Sequence, residues 1–145
     1  MEIAHILVAL DGSELGRRAM EVGIDVALRY RARATILTAI QHPAYAATVG
    51  EVEEADAEQR AFAERVQRDA IEAARMRGLD VAAAIVSGHP AEAIVDYARQ
   101  HAVDLIVMGH RGLSNLRRFL IGSVTDRVVD HAPCMVLVVT ERHLR

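Results

Sequence analysis

The residues with the most chemistry in their spacing lie between Gly109 and Thr125, a stretch reading Gly-His-Arg-Gly-Leu-Ser-Asn-Leu-Arg-Arg-Phe-Leu-Ile-Gly-Ser-Val-Thr. Gly109 ends an apolar run, Gly112 follows shortly, and Gly122-Ser123 opens the last helical segment. Glycine tolerates positive φ and lets a backbone approach a ligand closely. A helix start presents N–H groups without intrahelical partners and a partial positive charge, so a phosphate is its natural guest. Ser123, Val124 and Thr125 would offer those N–H groups, with hydroxyls added by Ser123 and Thr125. Arg111, Arg117 and Arg118 place positive charge in the same loop, and Asp126 is positioned to cap Ser123 as in a capping box. Two glycines after a strand also mark an ordinary turn. The conjunction of strand, glycines, basic loop and Gly-Ser-Val-Thr at a helix start favours the phosphate reading.

Other chemistry-bearing residues fall at the ends of apolar runs. Asp11, in Asp11-Gly12, is placed either for a ligand or metal contact or for a turn that caps the following helix. His42, His89 and His110 lie near strand ends, yet no pair has helical metal-ligand spacing, and they read as loop histidines. Cys134, directly after Pro133, reads as a small buried apolar residue rather than a reactive thiol. All 17 basic residues are arginine. The lack of lysine excludes a Walker-type phosphate loop, whose lysine reaches the terminal phosphates, and it excludes lysine nucleophiles and Schiff bases.

Positioning such a loop requires alternating strands and helices. Ile3 to Leu10 is a short, β-branched apolar run ending at Asp11-Gly12, which predicts a buried strand. Ser13 and Glu14 open a helix, with Leu15, Ala19, Val22, Val26 and Tyr30 as its expected inner face. A second strand runs from about Ala34 to Ile40, and Pro43 to Gly50 reads as a loop. From Glu51 to Arg77 comes a long charged helix, acidic at its start and basic at its end as the helix dipole favours, with Gly78 as its stop. Phe62, Val66, Ala70 and Ala73 form its apolar stripe; the remainder reads as a solvated face. Val81 to Val86 is a third strand, after which Pro90 suits a first helical turn and Ile94 and Ala98 face inward. Leu105 to Met108 is a fourth strand, about Ser123 to His131 a helix, and Met135 to Val139 a fifth strand. Right-handed β-α-β units then give an α/β fold: a five-stranded, mostly parallel sheet with helices on both faces. Ligands in such sheets bind beyond the carboxyl ends of the strands, where the strand order reverses.

The 145 residues suit one domain over 1–145, and 52% hydrophobic residues supply a real core. Two Phe, three Tyr and no Trp make that core aliphatic. A net charge of −3 argues against a nucleic-acid binder. One cysteine makes no internal disulfide, so a cytoplasmic, reducing setting is expected. The start of the chain lacks the basic and apolar segments of a signal peptide, and no apolar run approaches the roughly 18 residues of a membrane span. Val136, Leu137, Val138 and Val139 form a flat uncharged stretch expected at a sheet edge, which predicts a homodimer through that strand.

Gly109, Gly112, Gly122 and Ser123 match, without insertion, the motif Gly, two residues, Gly, nine residues, Gly, then Ser or Thr. On that motif the chain resembles the universal stress protein family, specifically its ATP-binding branch. Ile6 to Glu14, Gly88-His89-Pro90, Asp104 to Gly109 and Ala132 to Val139 are similar to family segments, so the resemblance covers nearly the whole chain. It implies a Rossmann-like, adenine nucleotide alpha hydrolase-like domain, usually a dimer, holding ATP with Mg or Mn at the strand ends. Ala9, Leu10 and Asp11 would flank the adenosine, with Asp11 near the ribose or a metal. Ala39 would line the adenine pocket, Met108 and Gly109 would sit beside the ribose, and Gly112, Gly122, Ser123, Val124 and Thr125 would hold the phosphates. Ala39 stands where a larger aliphatic residue is common in the family, and Leu10 where a hydroxyl residue often sits. The expected function is a cytoplasmic stress-response or regulatory module that binds ATP and, at most, hydrolyses it slowly. Two alternatives stay open: a slow ATP-hydrolysing or adenylyl-transferring enzyme of the same architecture, and a nucleotide-free interaction module.

Overall fold

The computed structural model describes residues 1–41, 48–111 and 121–141. Its elements run β1 (His5–Ala9), α1 (Glu14–Tyr30), β2 (Arg33–Ile40), α2 (Val49–Met76), β3 (Val81–Ser87), α3 (Pro90–Gln100), β4 (Leu105–Gly109), α4 (Ser123–His131) and β5 (Met135–Val139). All strands pair in parallel, in the order β3-β2-β1-β4-β5. Val8 of central β1 registers with Ile36 on one side and Val107 on the other. The strand order reverses between β1 and β4, so the connections leaving them part toward opposite faces and open a crevice at their carboxyl ends.

Pleating divides the strand residues between two cores. Ile6, Val8, Ile36 and Val107 pack with Ala19, Met20 and Ile24 of α1 and Ala70 and Ala74 of α2. Leu7, Leu37, Ile106 and Met108 pack with Ile94, Val95 and Ala98 of α3 and Val128 of α4. The sheet is therefore covered on both faces, which is why its inner strands read as continuous apolar runs. β3 departs from that expectation: as an edge strand it leaves Ala82 and Ala83 exposed.

The helices are rotated relative to the faces read from their spacing. α1 buries Leu15, Gly16, Ala19, Met20, Gly23, Ile24 and Ala27, while Val22 and Val26 are half-buried and Tyr30 is exposed. Small residues set this face: a Cβ on Gly23 would lie 2.5 Å from Cγ2 of Val8, so the helix rests close on β1. Tyr30 is the last helical residue, before the chain turns through Arg31 in the left-handed region. α2 starts at Val49, with the Glu51 N–H donating to the Thr48 hydroxyl at 3.1 Å, so the expected loop is shorter at this end. Its buried face is Ala63, Gln67, Ala70 and Ala74, and Phe62 and Ala73 of the expected stripe are exposed. Gln67 is buried because its amide donates to Thr38 Oγ1 at 3.2 Å and to the Ala84 carbonyl at 2.8 Å, satisfying what burial would otherwise penalise.

At the opposite end of the sheet from the crevice, His5 is buried at the start of β1. Its Nδ1 lies 3.0 Å from the His101 carbonyl and its Nε2 2.9 Å from Thr35 Oγ1. A carbonyl only accepts, so Nδ1 carries the proton and Nε2 accepts from the Thr35 hydroxyl. Burial lowers the basicity of the ring, Arg33 lowers it further, and the His101 carbonyl and Asp104 partly oppose the shift. Asp104 accepts the N–H groups of Ala4 and His5, both at 2.9 Å, which hold its carboxyl below the usual range.

Two outcomes are expected. In the unfolded chain His5 takes up a proton near its ordinary value of 6.5, while the folded ring stays neutral, so acid favours unfolding. The urea midpoint should fall between about pH 7 and about pH 5.5, and His5→Gln should flatten that slope; an unchanged slope would refute the assignment. Asp104 adds a second loss only at lower pH, as its carboxylate protonates below its ordinary 3.8. Separately, Gly23→Val should destabilise the protein by about 1–3 kcal/mol in denaturant titration through overpacking against Val8.

Candidate functional site

A cleft of about 790 Å³ opens at the carboxyl ends of β1, β2 and β4 and is bounded by the starts of α1, α3 and α4 and by one side of α2. Ala9, Leu10, Asp11, Ala39, Met108, Gly109, Gly122, Ser123, Val124 and Thr125 all line it. Residues separated by more than 110 positions thus meet in one place. Gly112, Arg117, Arg118 and His42 lie outside the described residues.

The turn after β1 is built by short local bonds. The Ser13 N–H donates to Asp11 Oδ1 at 2.9 Å, and the Gly16 N–H donates to the Ser13 hydroxyl at 3.0 Å, which makes Ser13 the N-cap of α1. Asp11 therefore shapes its own turn while also lining the cleft. Gly12 has φ +89°, and a Cβ there would lie 2.6 Å from the Phe62 ring. That left-handed conformation and the overlying ring together call for glycine.

At the start of α4 the backbone does most of the work. Gly122 is the N-cap, no side chain caps it, and the first helical bond runs from the Asp126 N–H to the Gly122 carbonyl at 2.9 Å. The amides of Ser123, Val124 and Thr125 precede that bond and belong to the first turn, whose donors have no partner within the helix. The expected capping box is absent: Gly122 rather than Ser123 is the cap, which puts Asp126 one residue too far along to reach back. Ser123 is exposed. Thr125 differs from its expected role, since its buried hydroxyl donates to the Gly109 carbonyl at 2.7 Å. That hydroxyl ties the helix start to the end of β4, so Thr125 has a main-chain N–H but no hydroxyl proton to offer a ligand. Gly109 is required for a related reason, because a Cβ on it would lie 2.8 Å from Leu15 Cβ.

His89 and His110 are tied into the fold. His89 is the N-cap of α3, its Nδ1 accepting the Ala91 N–H at 3.3 Å. His110 is buried, its N–H donating to the Val139 carbonyl at 2.9 Å and its carbonyl accepting the Gly122 N–H at 2.6 Å. Among the described residues no group of His, Cys, Asp and Glu is arranged to hold a metal ion. Cys134 is half-buried against the core under α3 and α4, and burial pushes its thiol pKa up, away from reactive thiolate character.

The sequence reading missed the wall contributed by α2. Glu58, Gln59 and Phe62 line the cleft, and Gln59 Oε1 accepts the Gln41 N–H at 2.9 Å, closing the end of β2. The signal was Phe62, a lone aromatic one position off the buried stripe, and so pointed at the strand ends rather than the core. Arg111 also lines the cleft, paired with Glu141.

Comparison with known proteins agrees with this geometry. A sequence model of the Universal stress protein family matches residues 2–140. A Staphylococcus haemolyticus relative named as a universal stress protein is 36% identical over 138 residues, covering 93% of this chain and 83% of the relative. The universal stress protein UspA from Lactobacillus plantarum superposes with a TM-score of 0.86 at 33% identity, covering 96% of this chain and 99% of that one. A universal stress protein solved in complex with cAMP superposes with a TM-score of 0.75 at 27% identity, covering 97% of this chain and 98% of that one. The five-stranded parallel sheet, the strand-end cleft and the match over nearly the full length lead to one conclusion: this chain belongs to the universal stress protein family.

Proposed function

We propose that the cleft binds an adenine nucleotide, ATP with Mg or Mn, and that the protein is a regulatory module of the stress response rather than a fast catalyst. One observation carries the reading: the first-turn amides of Ser123, Val124 and Thr125 border the cleft at a helix start that no side chain caps. Such a start favours a polyanion through its aimed N–H groups and its partial positive charge. The apolar portion of the cleft, with Ala9, Leu10, Ala39 and Met108, suits a flat base and ribose. Asp11, a carboxylate lining the cleft at the end of β1, would meet a ribose hydroxyl or the divalent cation that a nucleotide brings with it. The family relative with bound cAMP supports an adenine nucleotide as the ligand class.

The same reading includes a homodimer through the outer strand. β5 is an edge strand whose Met135 and Leu137 are 41% and 36% exposed, beside half-buried Val136 and Val138. An uncharged apolar edge of this kind is an invitation to pair with another chain. No helix among the described residues is long and apolar enough to cross a membrane, and the lone, half-buried cysteine suits a reducing cytoplasm.

Titration of labelled ATP with magnesium should show saturable binding, and Gly122→Asp should abolish it by bringing charge and bulk to the phosphate positions. Absence of any adenine-nucleotide binding by the wild type up to about millimolar concentration would overturn the reading. Turnover is expected below about one per second, and a faster rate would favour an enzyme instead. Leu137→Arg should convert a dimer to a monomer in sedimentation; a monomeric wild type would remove the dimer from the proposal.

A further inference from the structure

Arg111 is the one guanidinium among the described residues that line the cleft, and in a chain without lysine it is a natural partner for a phosphate oxygen. It is already engaged by an anion. Its Nη2 pairs with Glu141 Oε1, the Arg111 side chain being 20% exposed and that of Glu141 40%. The pair stands where the seam between β4 and β5 runs out. Gly109 and Val139 are the last registered residues of that seam, and the next bond, His110 N–H to the Val139 carbonyl at 2.9 Å, extends it by one step. Arg111 and Glu141 each follow two residues past the registered pair and close the seam with their side chains. The His110 carbonyl accepts the Gly122 N–H, so Arg111 directly follows the residue to which the N-cap of α4 is tied. Arg111 thus lines the same cleft as the uncapped helix start while its guanidinium pairs with a carboxylate of its own chain.

We propose that Glu141 is a built-in competitor for the anion of the cleft: it holds Arg111 when the cleft is empty, and a bound phosphate takes Arg111 from it. The inference rests on the nucleotide reading of the cleft and adds its regulation. A carboxylate and a phosphate use the same planar N–H fork, so a phosphate that takes the fork containing Nη2 displaces Glu141. The displacement lowers affinity by what the ion pair contributes, and at this exposure that is a few-fold. Ligands without phosphate escape the cost. The released carboxylate lies immediately beyond the edge strand, so occupancy of the cleft is transmitted to the end of β5.

The test compares ATP and adenosine, with magnesium, by equilibrium titration of the wild type, Glu141→Gln, Arg111→Gln and the double variant, each verified as folded by circular dichroism. Glu141→Gln should bind ATP about two- to fivefold more tightly than the wild type and adenosine equally well. Arg111→Gln should weaken ATP binding, and adding Glu141→Gln to it should recover nothing. Where Arg111→Gln does not fold, Arg111→Lys, a point charge that fits neither anion's fork, should narrow the gain from Glu141→Gln. Amide exchange at Val139 and Thr140 should rise on ATP binding in the wild type. The inference is overturned if Glu141→Gln leaves ATP affinity unchanged, or if its gain persists without Arg111. A wild type that binds no adenine nucleotide overturns the underlying reading and the competitor with it, and that result is visible before any variant is compared.

Discussion

The strand-end cleft depends on one buried hydrogen bond, the Thr125 hydroxyl donating to the Gly109 carbonyl at 2.7 Å. A buried hydroxyl must find a partner, and the last carbonyl of a strand needs a donor once its ladder stops. Each therefore satisfies the other. The bond from the Gly122 N–H to the His110 carbonyl reinforces the same junction. Because Gly109 has no side chain, the end of β4 also rests directly against Leu15 in the first turn of α1. Three element ends, those of β4, α1 and α4, are thereby drawn to a single point. Moving α4 by an ångström would unmake that junction and re-aim the amides of its first turn together.

The electrostatics of the cleft follow from this backbone geometry more than from side-chain charge. Asp11 and Glu58 line the cleft, and the guanidinium of Arg111 is shared with Glu141. Side chains alone would thus give a polyanion little welcome. For the proposed nucleotide, attraction would come from the oriented N–H groups of the helix start and from a divalent cation travelling with it. Peptide dipoles do not titrate, so this part of the attraction is constant across the pH range in which His5 and Asp104 make the opposite end of the sheet sensitive to acid. His5 and Asp104 themselves lie at the end of the sheet away from the cleft.

Much of this was legible in the sequence, for a physical reason. Strands buried on both faces must be apolar at every position, and the runs around Leu7, Ile36 and Val107 announce themselves without help from neighbours. Strand ends marked by Asp11-Gly12 and Gly109 were equally plain, and since ligands in such sheets gather at strand ends the cleft followed. Helix faces were harder. Periodicity counts large apolar residues, but α1 meets β1 through Gly23 and α2 enters the core through Gln67, a polar residue whose partners Thr38 and Ala84 are distant in sequence. The hydroxyl of Thr125 was misassigned for a similar reason: a threonine at a helix start looks the same in sequence whether its proton goes to a ligand or to a strand carbonyl.

The partition between fixed and adjustable groups bears on what such a cleft can do. In the proposed reading, a main-chain cradle fixed by the Thr125–Gly109 bond would grip a phosphate chain about as well before a reaction as during it. Uniform binding of that kind lowers the energy of the bound ligand without lowering the barrier above it. Acceleration requires a group that strengthens its hold as charge develops, and among the described residues of the cleft the guanidinium suited to that task is Arg111. In the proposed exchange Arg111 would meet the phosphate already in the bound ground state, so its contact would belong to the same uniform hold. The proposed arrangement instead suits a molecule that registers the presence of its ligand: a main-chain cradle to bind it, and beside it one ion pair to exchange partners at the end of an edge strand.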